Sequence, residues 1–183
     1  IWRDGYKRFY EAYGPQYGWP GDGPFEVIAG AILTQSAAWT NVVMALTKMR
    51  DAYCWSFEAV HQMPEPELAE LVRSSGYFNS KARKLKAFAS HVMVNYHGDL
   101  DRLFNQQTTP LRKELLSIHG IGEETADDIL VYAASKPSFV IDTYTRRIMD
   151  RLGMTPDVPH PKYLDYQAMF HEHIKTDVPL YNE

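Results

Sequence analysis

The stretch from Leu115 to Leu152, LLSIHGIGEETADDILVYAASKPSFVIDTYTRRIMDRL, contains the patterns that decide the fold. It holds two helical patterns separated by a turn with two glycines. We predict that the first helix opens at Thr109-Pro110, with threonine as the N-cap and proline at the first helical position. The turn reads His119-Gly120-Ile121-Gly122, and an apolar stripe at helical spacing follows it. The pattern therefore predicts a helix, a tight turn and a second helix.

The glycines of this turn, Gly120 and Gly122, allow another molecule to approach the backbone closely, because glycine has no Cβ. Backbone N–H groups at the start of the second helix lack intrahelical acceptors, and the helix dipole adds positive potential there. These features predict a site for an anion such as a DNA phosphate. The alternative is an ordinary packing corner between two helices, because the glycine spacing alone is a weak signal.

A second pattern follows the hairpin, in which Val140 and Ile141 precede an acid, Asp142, and a helix start at Thr143. The whole segment resembles the helix-hairpin-helix and aspartate signature of the endonuclease III-like DNA glycosylases. The matching residues are Ile118, Gly120, Ile121, Gly122, Thr125, Ala126, Ile129, Val140, Asp142, Thr143 and the region of Arg147.

The fold class follows from the residues and from this resemblance together. No strand pattern is visible, and amphipathic helical stretches recur, so the sequence itself favours an all-α fold. The resemblance implies two lobes with the active site in the cleft between them. It places a central lobe over residues 24–130, and a second lobe over residues 1–23 plus 131–183, with the catalytic aspartate at the junction.

Composition limits the possible classes of protein. The 183 residues carry a formal net charge of −4 and are 45% hydrophobic, which predicts a packed protein that does not coat nucleic acid non-specifically. No secretory signal and no apolar run of about 18 residues is visible, so we expect a monomer without a membrane partner, in a prokaryotic-type cytoplasm. The one cysteine, Cys54, excludes a four-cysteine iron–sulfur cluster within this chain, and we expect no required cofactor.

Asp142 is the candidate catalytic residue. Glycosidic cleavage of a nucleotide leaves an oxocarbenium-like sugar, which a buried carboxylate stabilises while it orients or deprotonates water. An isolated aspartate before threonine is more often only an N-cap. The hairpin in front of Asp142 favours the catalytic role, and one residue can serve both purposes.

Glu124 occupies the position at which, by the resemblance, many relatives carry a lysine that attacks the sugar as a nucleophile. A carboxylate cannot form a Schiff base, so this departure predicts a monofunctional enzyme that uses water. The alternative role of Glu124 is a favourable charge at a helix N-terminus. The pair Glu123-Glu124 should also weaken the affinity for DNA phosphate.

Aromatic residues predict a pocket for a flipped base, since base-flipping enzymes stack the extruded base between aromatic or apolar groups. The stretch from Trp19 to Trp39 resembles the 3-methyladenine glycosylases of the same superfamily. By that match, Trp19, Pro20 and Trp39 line the pocket, where aromatic faces would attract a cationic alkylated purine. The alternative is that these aromatic residues belong to the core.

Other contacts with DNA are implied by the same resemblance. Gln35 matches the residue that fills the gap left by the flipped base, for which its amide supplies donors and an acceptor. Phosphate contacts are expected for Lys81 and Arg146, although a solvated helix face is the alternative for the basic stretch around Lys81. The expected hairpin contacts come from Gly120, Ile121, Gly122 and Thr125. In relatives the hairpin can hold a monovalent ion, here through the carbonyls of Leu116, Ile118 and Ile121.

The predicted function is base excision repair, in which a glycosylase flips an alkylated, 3-methyladenine-like base out of double-stranded DNA and hydrolyses its N-glycosidic bond. One alternative is an oxidised-pyrimidine glycosylase with lyase activity, of the endonuclease III type. The other is a non-catalytic helix-hairpin-helix DNA-binding module, which needs the hairpin but neither Asp142 nor an aromatic pocket.

Overall fold

A computed structural model describes residues 2–182, and these residues form helices and loops without a strand. The prediction of an all-α fold is confirmed. Ile1 and Glu183, the outer ends of the predicted second lobe, lie outside the described residues. In chain order the helices are α1 (Trp2–Tyr13), α2 (Pro24–Leu33), α3 (Trp39–Asp51), α4 (Phe57–Gln62), α5 (Glu65–Leu71), α6 (Phe78–Tyr96), α7 (Leu100–Phe104), α8 (Thr108–Ser117), α9 (Glu123–Asp128), α10 (Thr143–Arg151), α11 (Tyr163–His173) and α12 (Val178–Asn182).

Two short segments depart from α-helical geometry. A 3-10 turn, Arg73–Ser75, precedes α6, and a π-helical segment, Ile129–Ala133, continues α9 without a break. None of the helices within residues 2–182 is both long and apolar enough to cross a membrane.

The start of α8 differs from the prediction. The helix begins at Thr108 with Gln107 as its N-cap, so the assignment of Thr109 as the cap is wrong. Pro110 is the third helical residue, where a backbone N–H would have no intrahelical acceptor in any case. A proline is therefore tolerated there, and its presence does not mark the first helical position.

Buried apolar side chains form two clusters. The larger one contains side chains from α2 to the π-helical segment, between Ile28 and Leu130. The smaller one contains Ile141, Met149, Tyr163, Tyr166 and Phe170, and Trp2 of α1 packs against it. The molecule thus has two centres of packing, as the two-lobed fold requires, whereas the lobe boundaries at residues 24–130 and 1–23 plus 131–183 stay a prediction.

A buried polar network around Asp127 joins the two clusters. Its carboxylate accepts hydrogen bonds from Arg112 of α8 through Nε at 2.8 Å and Nη2 at 2.9 Å. It also accepts hydrogen bonds from the Ser138 hydroxyl at 2.6 Å and from Nε2 of Gln167 on α11 at 2.9 Å. Such complete pairing is what allows a carboxylate to be fully buried. The network holds the segment before Asp142 against both α9 and α11.

Candidate active site

The turn between α8 and α9 has backbone geometry that depends on glycine at one position and is open to solvent at the other. Gly120 has a φ of +84°, and a Cβ there would overlap the Lys84 side chain. Gly122 is the N-cap of α9, and a Cβ there would meet nothing within 4 Å. The first bond of the helix runs from Ala126 N to Gly122 O at 2.9 Å, so the N–H groups of residues 123–125 have no intrahelical acceptor.

A cleft of about 690 Å³ separates the hairpin from the second lobe. Its walls include Ala31 and Thr34 at the end of α2, the hairpin residues 120–125, and Thr143 and Tyr163 of the second lobe. This volume falls within the range of about 300–1,000 Å³ that is usual for pockets that bind small molecules.

Asp142 is the N-cap of α10 and directly precedes Thr143, which lines the cleft. Its Oδ1 accepts hydrogen bonds from Thr145 N at 2.6 Å and from the Thr145 hydroxyl at 2.7 Å. Ile141 N donates a hydrogen bond to the Tyr163 hydroxyl at 3.3 Å, which fixes the backbone just before the aspartate. Because both cap bonds use Oδ1, the half-buried carboxylate is held in one orientation with Oδ2 as the oxygen that can face a substrate.

Two carboxyl groups on α9 lie close to Asp142. Burial and the charge of Asp142 raise the pKa of Glu124, while the Arg146 guanidinium opposes this shift. Burial raises the pKa of Asp128 well above its usual range, and the charges of its acidic neighbours raise it further. Since Glu124 and Asp128 are four residues apart, they lie on the same face of the helix.

An aromatic cluster adjoins these acids. The Trp19 ring lies 5.5 Å from the ring of Trp39, edge to face, and 5.5 Å from the ring of Tyr132. Trp19 also packs on α2 at Gly30, where a Cβ would come within 3.1 Å of the indole Nε1. Burial raises the pKa of Tyr132 to about 12, with further contributions from Asp128 and Asp142. The structure therefore brings Trp19 and Trp39 together near the acids, whereas Pro20 is exposed.

Gln35 is tied to the hairpin by its side chain. Its Nε2 donates hydrogen bonds to Gly120 O at 3.1 Å and to the Thr125 hydroxyl at 2.9 Å. Its Oε1 accepts a hydrogen bond from Lys84 Nζ at 2.5 Å. The residue expected to fill the duplex thus lies beside the residues expected to bind phosphate. Thr125 itself is buried, so its predicted contact with DNA is limited to the backbone N–H.

The prediction that Lys81 contacts DNA is wrong. Its side chain is only 1% exposed, and Nζ donates hydrogen bonds to the carbonyls of Leu33 at 2.7 Å and Ser75 at 2.5 Å. Burial and the charge of Lys84 lower the pKa of Lys81 to about 8. The amine therefore satisfies backbone carbonyls inside the larger lobe, and Lys84, three residues later, is the lysine that lines the cleft.

Arg146 faces the cleft acids from the second lobe. Its guanidinium carbon lies 6.0 Å from the ring centre of Tyr163 and 5.9 Å from that of Tyr166. Its positive charge also acts on Glu124, where it partly opposes the rise in the pKa of that carboxyl group. A phosphate contact by Arg146 stays a prediction.

The hairpin carbonyls are compatible with the expected ion. Ile118 O accepts a hydrogen bond from Ile121 N at 3.1 Å, which leaves the second lone pair of this carbonyl for another partner. Among residues 2–182 no group of three or more histidine, cysteine, aspartate or glutamate side chains is arranged to hold a metal ion. Ion binding by Leu116, Ile118 and Ile121 stays a prediction, as does the expectation that no cofactor is required.

The family model of the HhH-GPD superfamily base excision DNA repair proteins matches residues 29–170. This span contains Gln35, the hairpin and Asp142. The chain belongs to this superfamily. The resemblance to endonuclease III-like glycosylases is thus confirmed, and with it the enzyme class, DNA N-glycosylase, and DNA as the partner of this HhH-GPD protein.

Two sequence relatives support the membership. A Methanocaldococcus jannaschii protein, named as a candidate DNA repair glycosylase, is 37% identical over 180 residues, which cover 97% of this chain and 80% of the relative. Endonuclease III of Thermotoga maritima is 30% identical over 131 residues. That match covers 71% of this chain but 57% of the length of the relative, so this HhH-GPD chain spans little more than half of that enzyme.

Solved structures share the fold. Helicobacter pylori 3-methyladenine DNA glycosylase, bound to 1,N6-ethenoadenine, superposes with a TM-score of 0.79 at 25% identity, over 98% of this chain and 89% of that one. A covalent complex of endonuclease III with DNA superposes with a TM-score of 0.82 at 20% identity, over 98% and 81% of the two chains. The second likeness, at this identity, concerns the fold alone.

Three residues were not among the site residues predicted from the sequence. Lys84 lines the cleft, and Asp128 and Tyr132 lie between Glu124 and the Trp19 ring. Glu124, Asp128 and Tyr132 recur every four residues, a spacing that places them on one face of the second hairpin helix. The apolar stripe of the same helix drew attention to its other face. The spacing of the polar residues was the signal that could have identified this face.

Proposed function

We propose that this HhH-GPD protein is a monofunctional DNA glycosylase that flips an alkylated, 3-methyladenine-like base and hydrolyses its N-glycosidic bond. The observation that carries the proposal is the position of Asp142, which caps α10 at the cleft with Glu124 beside it. A fixed carboxylate next to a second carboxyl group suits water-based chemistry, because neither group can form a Schiff base.

Binding begins at the hairpin. The free N–H groups of residues 123–125 and the open side of Gly122 give a phosphate access to the backbone. Gln35 is held beside this site through Gly120, so docking of the phosphate also sets the position of the residue that fills the gap in the duplex. A hairpin ion would support docking, and we propose that the reaction itself needs no cofactor.

Catalysis uses Asp142 in two ways. As the glycosidic bond breaks, its electron pair leaves with the base, and the carboxylate stabilises the positive charge that develops on the sugar. Water then adds to the anomeric carbon of the sugar, and Asp142 accepts the proton that this water releases. The hydrogen bonds from Thr145 keep the carboxylate in place throughout.

The preference for an alkylated base is supported by two features. Trp19, Trp39 and Tyr132 form an aromatic cluster next to the acids, and aromatic faces attract a cationic purine. The Helicobacter pylori neighbour at 25% identity is named a 3-methyladenine glycosylase and holds an ethenoadenine. We further infer that this protein acts on the chromosome in a prokaryotic cytoplasm, because the two relatives named above are archaeal and bacterial. We also propose that it acts as a monomer.

A panel of duplexes that carry one damaged base each tests the proposal. We expect release of alkylated purines, and strand breaks that appear only after treatment with alkali. Release of oxidised pyrimidines, together with strand breaks without alkali, would instead indicate an endonuclease III type of activity. Binding to every duplex without release of any base would indicate a non-catalytic DNA-binding module.

A further inference from the structure

Asp128 is a buried acid without a hydrogen-bond partner in the described part of the chain. It is 5% exposed, and no donor among residues 2–182 bonds to its carboxyl group. Its oxygens are not among the fully enclosed atoms without a partner in these residues, so they still reach solvent. A carboxyl group that is nearly enclosed by protein and receives no hydrogen bond destabilises the fold, so its presence calls for a functional explanation. Asp127 beside it, by contrast, has all its partners within the fold.

The direction of Asp128 follows from its neighbours on the helix. Glu124 lies one turn before it and lines the cleft, and Tyr132 lies four residues after it and contacts Trp19. The charge of Glu124 acts on Asp128 and the charge of Asp128 acts on Tyr132, so the three side chains form a row from the cleft to the aromatic cluster. Asp128 occupies the middle of this row, where a base inserted between the cleft acids and the aromatic rings would be within reach.

The charges around Asp128 are almost all negative. Glu124 and Asp127 face it from α9, Asp142 faces it from the start of α10, and the phenols of Tyr132 and Tyr163 complete its surroundings. Two arginines oppose this charge from a distance, since Arg112 pairs with Asp127 and Arg146 acts on Glu124. An entering group with a positive charge would be stabilised here, whereas a second anion would be repelled.

We propose that Asp128 is a specificity-determining residue, whose carboxyl group faces the flipped base and selects bases that carry a positive charge. In the free protein, burial and the charges of its acidic neighbours raise the pKa of Asp128 well above its usual range, which favours the protonated form. When a cationic N-alkylated purine enters, Asp128 releases its proton to solvent and pairs with the base as a carboxylate, so the net charge of the cluster does not change. A neutral base gives no such compensation.

The test compares release of 7-methylguanine, which is cationic in the nucleotide at slightly acidic pH, with release of neutral hypoxanthine from otherwise identical duplexes. The assignment of Asp128 rests on the function proposed above. The readout is the ratio of the single-turnover rate for 7-methylguanine to that for hypoxanthine, measured in the wild-type protein and in Asp128→Asn. We expect the variant to lower this ratio about 10-fold or more, since a charge-assisted hydrogen bond becomes a neutral one.

Asp127→Asn is the matched control, because it changes an adjacent buried aspartate that faces away from the base. We expect it to lower the stability of the protein and to leave the ratio unchanged. If Asp128→Asn does not fold, Asp128→Ala answers the same question without a polar group to bury. A ratio that is the same in the wild type and in the Asp128 variant overturns the role of Asp128 alone. A wild-type protein that releases no alkylated purine overturns the proposed function and the role of Asp128 together.

Discussion

Asp127 and Asp128 are adjacent and both are buried, but they lie on faces of α9 that differ in their hydrogen-bond partners and in the charges of their neighbours. Asp127 meets Arg112, Ser138 and Gln167, and every one of these contacts joins parts of the fold to each other. Asp128 meets other acids and has no hydrogen bond within residues 2–182. A satisfied buried charge indicates a structural joint, whereas an unsatisfied one indicates a site prepared for a ligand at some cost in stability.

We expect the largest effect at Asp142, the acid at the start of α10 whose charge acts on Asp128. Asp142→Asn should reduce base release to about 1% or less, because it removes the charge that stabilises the sugar cation but hardly changes shape. Affinity for the damaged duplex should stay near the wild-type value, which a binding titration with the inactive variant can establish. A variant that retains most of its rate of base release would show that Asp142 acts only as the cap of α10.

Asp127→Asn should disrupt the polar network on the other face of α9. It leaves Arg112 without a charged partner in a largely buried position, for which we expect a loss of about 3 kcal/mol in the free energy of unfolding. In a domain of this size that corresponds to a fall in melting temperature of about 6–12 °C. Thermal unfolding of the variant measures this loss. A melting temperature equal to that of the wild type would mean that the network does not join the lobes.

Asp128→Asn should instead raise the free energy of unfolding near neutral pH. In the unfolded chain an aspartate ionises near pH 3.9, whereas burial keeps Asp128 protonated to a higher pH in the folded protein. The folded state then binds more protons, so the free energy of unfolding falls as the pH rises above about 4. The variant lacks this titration, and near neutral pH it should melt about 2–4 °C above the wild type. The advantage should vanish towards about pH 4, and a variant that melts well below the wild type at all pH values would contradict the unpartnered state of Asp128.

The N-terminal end of the same helix offers a smaller test. Gly122→Ala should leave the fold intact, because the new methyl group meets no protein atom within 4 Å. It should weaken binding to damaged and undamaged duplexes alike, by about 5-fold or about 1 kcal/mol, since the methyl group would crowd a phosphate. Titrations of both duplexes decide the matter. A loss confined to the damaged duplex would mean that Gly122 serves the base pocket and not the backbone of DNA.

The fold, the glycine turn and the cap at Asp142 were predictable because their signals are local. The glycine turn, the stripe of apolar residues after it and the cap at Asp142 each lie within a few residues of sequence. The observed contacts of Gln35, by contrast, reach Gly120 and Thr125, which lie 85 and 90 residues away. A sequence pattern gives no information on such a pairing.

The burial of Lys81 and of Asp128 could not be predicted from the sequence, and the reason is the same for both. Each is a charged residue on an amphipathic helix, and such residues normally lie in solvent. Lys81 is buried because two backbone carbonyls, from Leu33 and Ser75, require donors inside the lobe. Asp128 is buried on a helix that packs against α2 and α8. Both facts depend on which neighbouring segment covers the helix, and that is decided by the tertiary fold.

The smallest expected effect concerns Glu124, the first residue in the row that contains Asp128. Glu124→Lys restores an amine where many endonuclease III-like relatives carry their nucleophile. Burial lowers the pKa of a lysine, but the negative charge of Asp142 raises it, so most of this amine should stay protonated and unreactive. We expect borohydride to trap about a few per cent of the variant as a covalent adduct with a duplex from which the variant releases a base. The wild type and Glu124→Gln should give no trapped band.

The wild-type lane of the same gel tests whether the cleft uses water at all. Lys84 lines the cleft, but its amine donates a hydrogen bond to Oε1 of Gln35 at 2.5 Å, and this contact would have to break before the amine could attack a sugar. The wild type should therefore break the strand only after alkali. A trapped wild-type band, together with strand cleavage without alkali, would assign the nucleophile to an amine, and Lys84→Gln should then abolish both. In that case the acids of α9 would serve to tune the pKa of a lysine, and the contrast between Asp127 and Asp128 would reflect lyase chemistry instead of selection of a cationic base.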